Sequence, residues 1–90
     1  MIKVYKNMSL SQSAAFRKFS DLKKWMLKND TLCDGLAWGY LEDYEEFQMN
    51  MIFIDGEWEV EYYPKFESNV LSFKEAIDEF IKFIQEHNND

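Results

Sequence analysis

An α+β fold is predicted for this chain: an antiparallel meander of three to four strands with two helices packed on one face, in the order (β)-α-β-β-β-α. Three observations predict it. Asp55-Gly56 separates two strand-like runs and is the pair that a two-residue type I′ hairpin favours. Ser72 and Glu75 form a capping box ahead of an apolar stripe at Phe73, Ile77, Phe80 and Ile84. A second stripe with helical spacing runs through Phe16, Phe19, Leu22 and Met26.

The elements follow in order. Ile2 and Val4 alternate with Lys3 and Lys6, which suggests a short strand or an ordered extended arm. Ser9, Ser11 and Ser13 offer cap oxygens for a first helix over residues 14–28. Lys23, Lys24 and Lys28 occupy its last turns, where cations complement the helix dipole, and Asn29-Asp30 ends it. Leu36 to Leu41 reads as a short strand, with Gly39 marking a bulge or a close backbone approach. Phe47 to Ile54 and Glu57 to Tyr63 are the two arms of the hairpin, and Pro64 stops the second. The final helix frays at His87-Asn88-Asn89-Asp90.

The hairpin register follows from the turn. Two turn residues pair Ile54 with Glu57, Phe53 with Trp58, Ile52 with Glu59, Met51 with Val60, Asn50 with Glu61 and Met49 with Tyr62. Side chains alternate between faces along a strand. One face then carries Phe53, Met51, Met49, Trp58, Val60 and Tyr62, and it is expected to meet the helices. The other carries Asn50, Ile52 and Ile54 beside an exposed row of Glu57, Glu59 and Glu61. The carboxylates of that row are spaced about 7 Å apart by the two-residue repeat. Glu42, Asp43, Glu45 and Glu46 add acids in the preceding connection.

At 90 residues the chain reads as one domain, 1–90. It is rich in large rings, with eight Phe, five Tyr and three Trp, which bury much apolar area per residue in so short a chain. With one cysteine, Cys33, no intramolecular disulfide can form. There is no long apolar leader, and no stretch approaches the roughly 18–20 apolar residues of a membrane span. A reducing cytoplasm is the expected location, with no membrane partner.

The net charge of −7 is unevenly distributed. Residues 1–28 hold seven basic side chains against Asp21 alone, whereas residues 29–90 hold three lysines against sixteen acids. Such asymmetry bears on partners rather than on fold. The basic helix reads as a solvated face, or else as a weak nucleic-acid contact or a self-association surface. The glutamate row reads as a solvated strand face, which keeps a sheet soluble, or as an acidic recognition surface. In the second reading Ile52, Ile54 and Tyr63 are apolar anchors, and Glu42, Asp43, Glu45, Glu46, Glu57, Glu59 and Glu61 are the charges. Aligned like charges repel, and a cationic partner relieves that repulsion.

Catalytic chemistry is not expected. Cys33 and His87 stand alone, with no zinc-ligand spacing, so neither a metal nor a cofactor is expected. Residues Asp30 to Gly35 have the outline of a calcium loop. Leu32 and Leu41, however, stand where it needs an oxygen ligand and the terminal Glu. No phosphate-cradling Gly-rich loop is present.

The α-β-β-β-α order resembles that of double-stranded RNA-binding domains, in topology only. That resemblance implies basic residues at the start of the last helix, and here the start is Ser72-Phe73-Lys74-Glu75, followed by Asp78 and Glu79. Direct nucleic-acid binding is therefore not expected. In size and charge the chain looks like phage anti-CRISPR and anti-restriction proteins, some of which mimic DNA. The expected function is inhibition of a nucleic-acid-handling enzyme, such as a nuclease, by docking on its basic surface. The alternatives are an immunity or antitoxin protein that neutralises a nuclease toxin, and a homodimeric structural or regulatory adaptor. Exposure of Trp25 or Trp38 would favour the homodimer.

Overall fold

The computed structural model of the chain describes residues 1–7, 13–40, 47–63 and 68–88. Its elements are β1 (Ile2–Lys6), β2 (Ser13–Phe16), α1 (Phe19–Lys28), the single turn α2 (Asp30–Cys33), β3 (Leu36–Trp38), β4 (Met49–Ile54), β5 (Glu57–Tyr62), β6 (Ser68–Leu71) and α3 (Phe73–His87). The fold is α+β and antiparallel, as expected. The described residues nevertheless form six strands and three helices, in the order β2-β1-β3-β4-β5-β6 across one sheet. The (β)-α-β-β-β-α order is thereby corrected: the expected first strand is present as β1, but β2 follows it ahead of α1, α2 follows α1, and β6 stands between the hairpin and α3.

The β4–β5 hairpin has the predicted register at every pair from Met49↔Tyr62 to Ile54↔Glu57. Asp55 (φ 52°) and Gly56 (φ 80°) both occupy the left-handed region, as a type I′ turn demands. Met49, Met51 and Val60 are buried on the inner face with Ile2 and Val4 of β1 and Leu36 of β3. Against them lie Leu22 and Met26 of α1 and Ala76, Ile77, Phe80 and Ile84 of α3. Rings extend this core: Trp58 packs on Phe73, while Tyr62 and Trp38 both pack on Phe83. The Tyr62 hydroxyl donates to the Glu79 carboxylate at 2.7 Å, tying β5 to α3.

α3 starts at the predicted cap. Ser72 accepts the Glu75 amide at 3.3 Å, and its hydroxyl donates to Glu75 Oε1 at 2.8 Å. α1 departs from expectation. It begins at Phe19 with Lys18 as N-cap and no side-chain cap, and the expected caps Ser9 and Ser11 lie outside the described residues. Ser13–Phe16 is a strand rather than a first helical turn, because its amides pair with β1 (Ile2↔Phe16, Val4↔Ala14). That pairing places Ala14 and Phe16 on the inner face beside Ile2 and Val4. α1 ends as expected: Asn29 donates from its backbone to Met26 O and from Nδ2 to Trp25 O.

Three strands are shorter than predicted. β3 stops at Trp38 because Gly39 turns into the left-handed region (φ 82°). β4 starts at Met49, and Phe47 is buried in a ring stack with Tyr5. The second arm ends at Tyr62, where Tyr63 N–H donates to Gln48 O at 2.8 Å. Leu41 and Pro64 lie outside the described residues.

Gly39 and Gly56 carry different constraints. A Cβ on Gly56 would meet nothing within 4 Å, so Gly56→Ala carries only the backbone penalty, about 1–2 kcal/mol. A Cβ on Gly39 would sit 2.9 Å from Gln48 Cβ as well as requiring the same left-handed backbone. Urea denaturation should therefore find Gly39→Ala the more destabilised variant. Equal losses would show that the Gly39–Gln48 approach carries no constraint.

Candidate interaction surface

The outer face of the sheet, opposite α1 and α3, is built from the second side-chain set of each strand. Its rows run Tyr5, Ala37, Asn50, Glu61 and Ser68, then Ile52, Glu59 and Val70, then Ile54 and Glu57. On the β1–β3 side this face is closed by aromatic packing. Phe47 is buried between Tyr5 and Tyr40, with ring centroids 5.0 and 6.2 Å away, and Ala37 is fully buried. Toward the hairpin tip the face opens: Ile54 is 46% exposed and Val70 58%.

The glutamate row lies on this open part. Glu57 is exposed, whereas Glu59 and Glu61 are half-buried, which corrects the expectation that all three are exposed. The reason is β6, a strand the sequence reading lacks. It flanks β5 and pairs Glu59 with Val70 and Glu61 with Ser68. On the other side stand Ile54, Ile52 and Asn50. Among the described residues no cross-strand partner of the three carboxylates is cationic, and the Ser68 hydroxyl donates to Glu59 Oε2 at 3.1 Å. Only Glu59 has aliphatic side chains on both flanks, Ile52 and Val70, whereas Glu61 stands between Asn50 and Ser68.

Of the residues expected to form the surface, the structure brings together Ile52, Ile54, Glu57, Glu59 and Glu61. Tyr63 is half-buried at the far end of β5 from the turn. Glu42, Asp43, Glu45 and Glu46 lie outside the described residues. Val70 belongs to the surface and was not legible, because Ser68–Leu71 is short and shows no clear alternation.

The basic helix is anchored in part within the fold: Lys23 pairs with Asp78 of α3 at 3.1 Å, on exposed faces of both helices. Trp25 and Trp38 are half-buried, against Phe16 and Phe83. The exposure that would favour self-association through them is not found.

On the inner face, the hairpin tip reaches beyond the core. Phe53 pairs with Trp58 as predicted, but it is 45% exposed. Here a cleft of about 390 Å³ opens between Asp30, Thr31, Asp34, Phe53, Trp58 and Phe73. Sequence reading missed it because its walls come from four separate segments.

Among the described residues no group of three or more His, Cys, Asp or Glu could hold a metal ion, and no helix is long and apolar enough to cross a membrane. His87 stacks on Phe83 and, with Nδ1 protonated, donates to the Phe83 carbonyl at 2.8 Å. Cys33 is fully buried, with Sγ 3.5 Å from Met26 O. Burial pushes its thiol up to about 12, Asp30 adds to the rise and Lys6 opposes it. Comparison with protein-family models, curated proteins and solved structures finds no match to this chain.

A buried thiol held this far above its ordinary range stays protonated at neutral pH and is a poor nucleophile, since the thiolate is the reacting form. Cys33 should resist alkylation by iodoacetamide in the native protein and react fully in denaturant. Rapid native labelling would contradict the placement of this thiol.

Proposed function

We propose that the chain is a small, non-enzymatic docking protein that uses its outer sheet face to occupy a basic surface of a nucleic-acid-handling enzyme. One observation carries this reading. Three aligned carboxylates, Glu57, Glu59 and Glu61, stand between aliphatic and neutral polar neighbours on a face no described helix covers, with no cation among their described cross-strand partners. A merely solvated strand face does not need carboxylates set among Ile52, Ile54 and Val70. A docking surface does, because apolar anchors supply area while a complementary field steers encounter and sets register.

Nucleic-acid channels are lined with Lys and Arg placed to meet phosphates, and regularly spaced carboxylates present the same sign of charge. The natural target is thus a nuclease or related enzyme, as for anti-CRISPR and anti-restriction inhibitors. An immunity protein against a nuclease toxin would use the same surface. The cytoplasm, where a lone buried thiol stays reduced, is the compartment this function implies. Non-enzymatic action is favoured by the burial and protonation of the one cysteine thiol.

The test is binding to a panel of purified nucleases, including CRISPR effectors, restriction enzymes and nuclease toxins, at low and high salt. Binding should weaken as ionic strength rises, and nucleic acid should compete. The combined variant E57Q/E59Q/E61Q keeps side-chain shape and should bind at low salt about tenfold or more weakly. Equal affinity of the folded variant and the wild-type protein would remove the outer face from the interface.

A further inference from the structure

The cleft at the hairpin tip lies on the opposite side of β4 and β5 from the glutamate row. Its back wall is a continuous run of rings. Phe73 lies against Trp58 at 4.9 Å between centroids, and Trp58 against Phe53 at 5.0 Å. This run starts beside the core and ends in the half-open Phe53. Its rim is acidic: Asp30 and Asp34, which bracket α2, line the same cleft.

Asp34 is held in place. Its Oδ1 accepts the Phe53 amide at 3.0 Å, and its backbone carbonyl accepts a hydrogen bond from Lys6 Nζ. The carboxylate is therefore fixed beside the ring before any ligand arrives. Asp30 Oδ1 accepts the Thr31 amide at 2.8 Å. The volume falls within the roughly 300–1,000 Å³ typical of sites for small groups.

Ring faces carry negative quadrupole density and attract cations, and carboxylates at the rim add hydrogen-bond acceptors. A quaternary ammonium would use the rings but has no N–H for the aspartates. An ammonium offers donors but is a strongly hydrated point charge. A guanidinium does both: its plane stacks on a ring while its fork of N–H groups reaches carboxylate oxygens. We infer that this cleft receives an arginine side chain presented by a protein partner. The inference rests on the docking reading for its partner and adds a second contact on the other face of the same hairpin. A basic enzyme surface would thus be gripped across the hairpin, by the glutamates outside and by the ring cleft inside.

The probe is the peptide acetyl-Gly-Arg-Gly-amide, titrated into ¹⁵N-labelled full-length protein and followed by amide and indole shifts. Matched peptides carry citrulline or lysine in place of arginine. Saturable shifts are expected at Asp30, Thr31, Asp34, Phe53, Phe73 and the Trp58 indole, with the citrulline and lysine peptides binding several-fold more weakly. D30N/D34N keeps an oxygen acceptor at each position and removes two charges, and it should weaken arginine binding about tenfold. Phe53→Ala, at an exposed ring, should weaken it about threefold or more while the spectrum stays dispersed. E57Q/E59Q/E61Q should leave these shifts in place, so loss of the outer-face reading and loss of this one are separate results. Equal shifts from the citrulline or lysine peptide would overturn the assignment. So would arginine shifts confined to the glutamate row, or undiminished binding by folded D30N/D34N.

Discussion

The two-residue turn at Asp55-Gly56 is the constraint on which the rest of the molecule depends. With both residues in the left-handed region, the turn permits one register for β4 and β5. That register sends Met49, Met51, Val60, Trp58 and Tyr62 toward the helices, and Asn50, Ile52, Ile54 and the three glutamates away. A slip of one residue would exchange these two sets and bury the carboxylates. Neighbouring strands take their facing from the hairpin: Ala37 of β3 pairs with Asn50, and Val70 of β6 pairs with Glu59. The helices pack where the apolar set points.

The same turn carries two surfaces of different chemistry. On the outer face, charge is set among aliphatic side chains. On the inner face, from Phe73 at the start of α3, the rings of Trp58 and Phe53 continue outward past the buried core and meet the aspartates that bracket α2. Both surfaces carry carboxylates, and both include residues of β4 and β5, whereas neither draws on the basic segment 1–28. Within that segment, Lys6 is bonded to the Asp34 carbonyl and Lys23 is paired with Asp78.

The local signals were legible in the sequence, and the non-local ones were not. Asp55-Gly56 prescribed its own turn type, so every pair of the β4–β5 hairpin could be written down in advance. Ser72, Glu75 and a four-residue apolar stripe sufficed for α3. Ser13–Phe16 was misread because Ala14 and Ala15 favour helices and Phe16 extends the stripe of Phe19, Leu22 and Met26. What overrides that preference is pairing with β1, which the local sequence does not encode. β6 is four residues with a single half-buried side chain, too short and too exposed for a period to appear. Of the candidate surface, the glutamate row followed from alternation alone, whereas Val70 and the ring cleft required knowing which distant segments meet. One signal for the cleft was available: Phe53 and Trp58 flank the turn, at the end of the hairpin farthest from its buried methionines.

The central claim is that the glutamate row is present for recognition and not to hold the fold. Three like charges aligned on one strand, with no cation among their described cross-strand partners, should oppose folding slightly and repel one another less as salt rises. Urea denaturation of wild type and E57Q/E59Q/E61Q at low and high ionic strength measures this directly. The account predicts that the variant is as stable as wild type or more stable, by up to about 1 kcal/mol at low salt, with the difference shrinking at high salt. A variant clearly less stable than wild type at both salt concentrations would show that these carboxylates are structural, and would contradict the account.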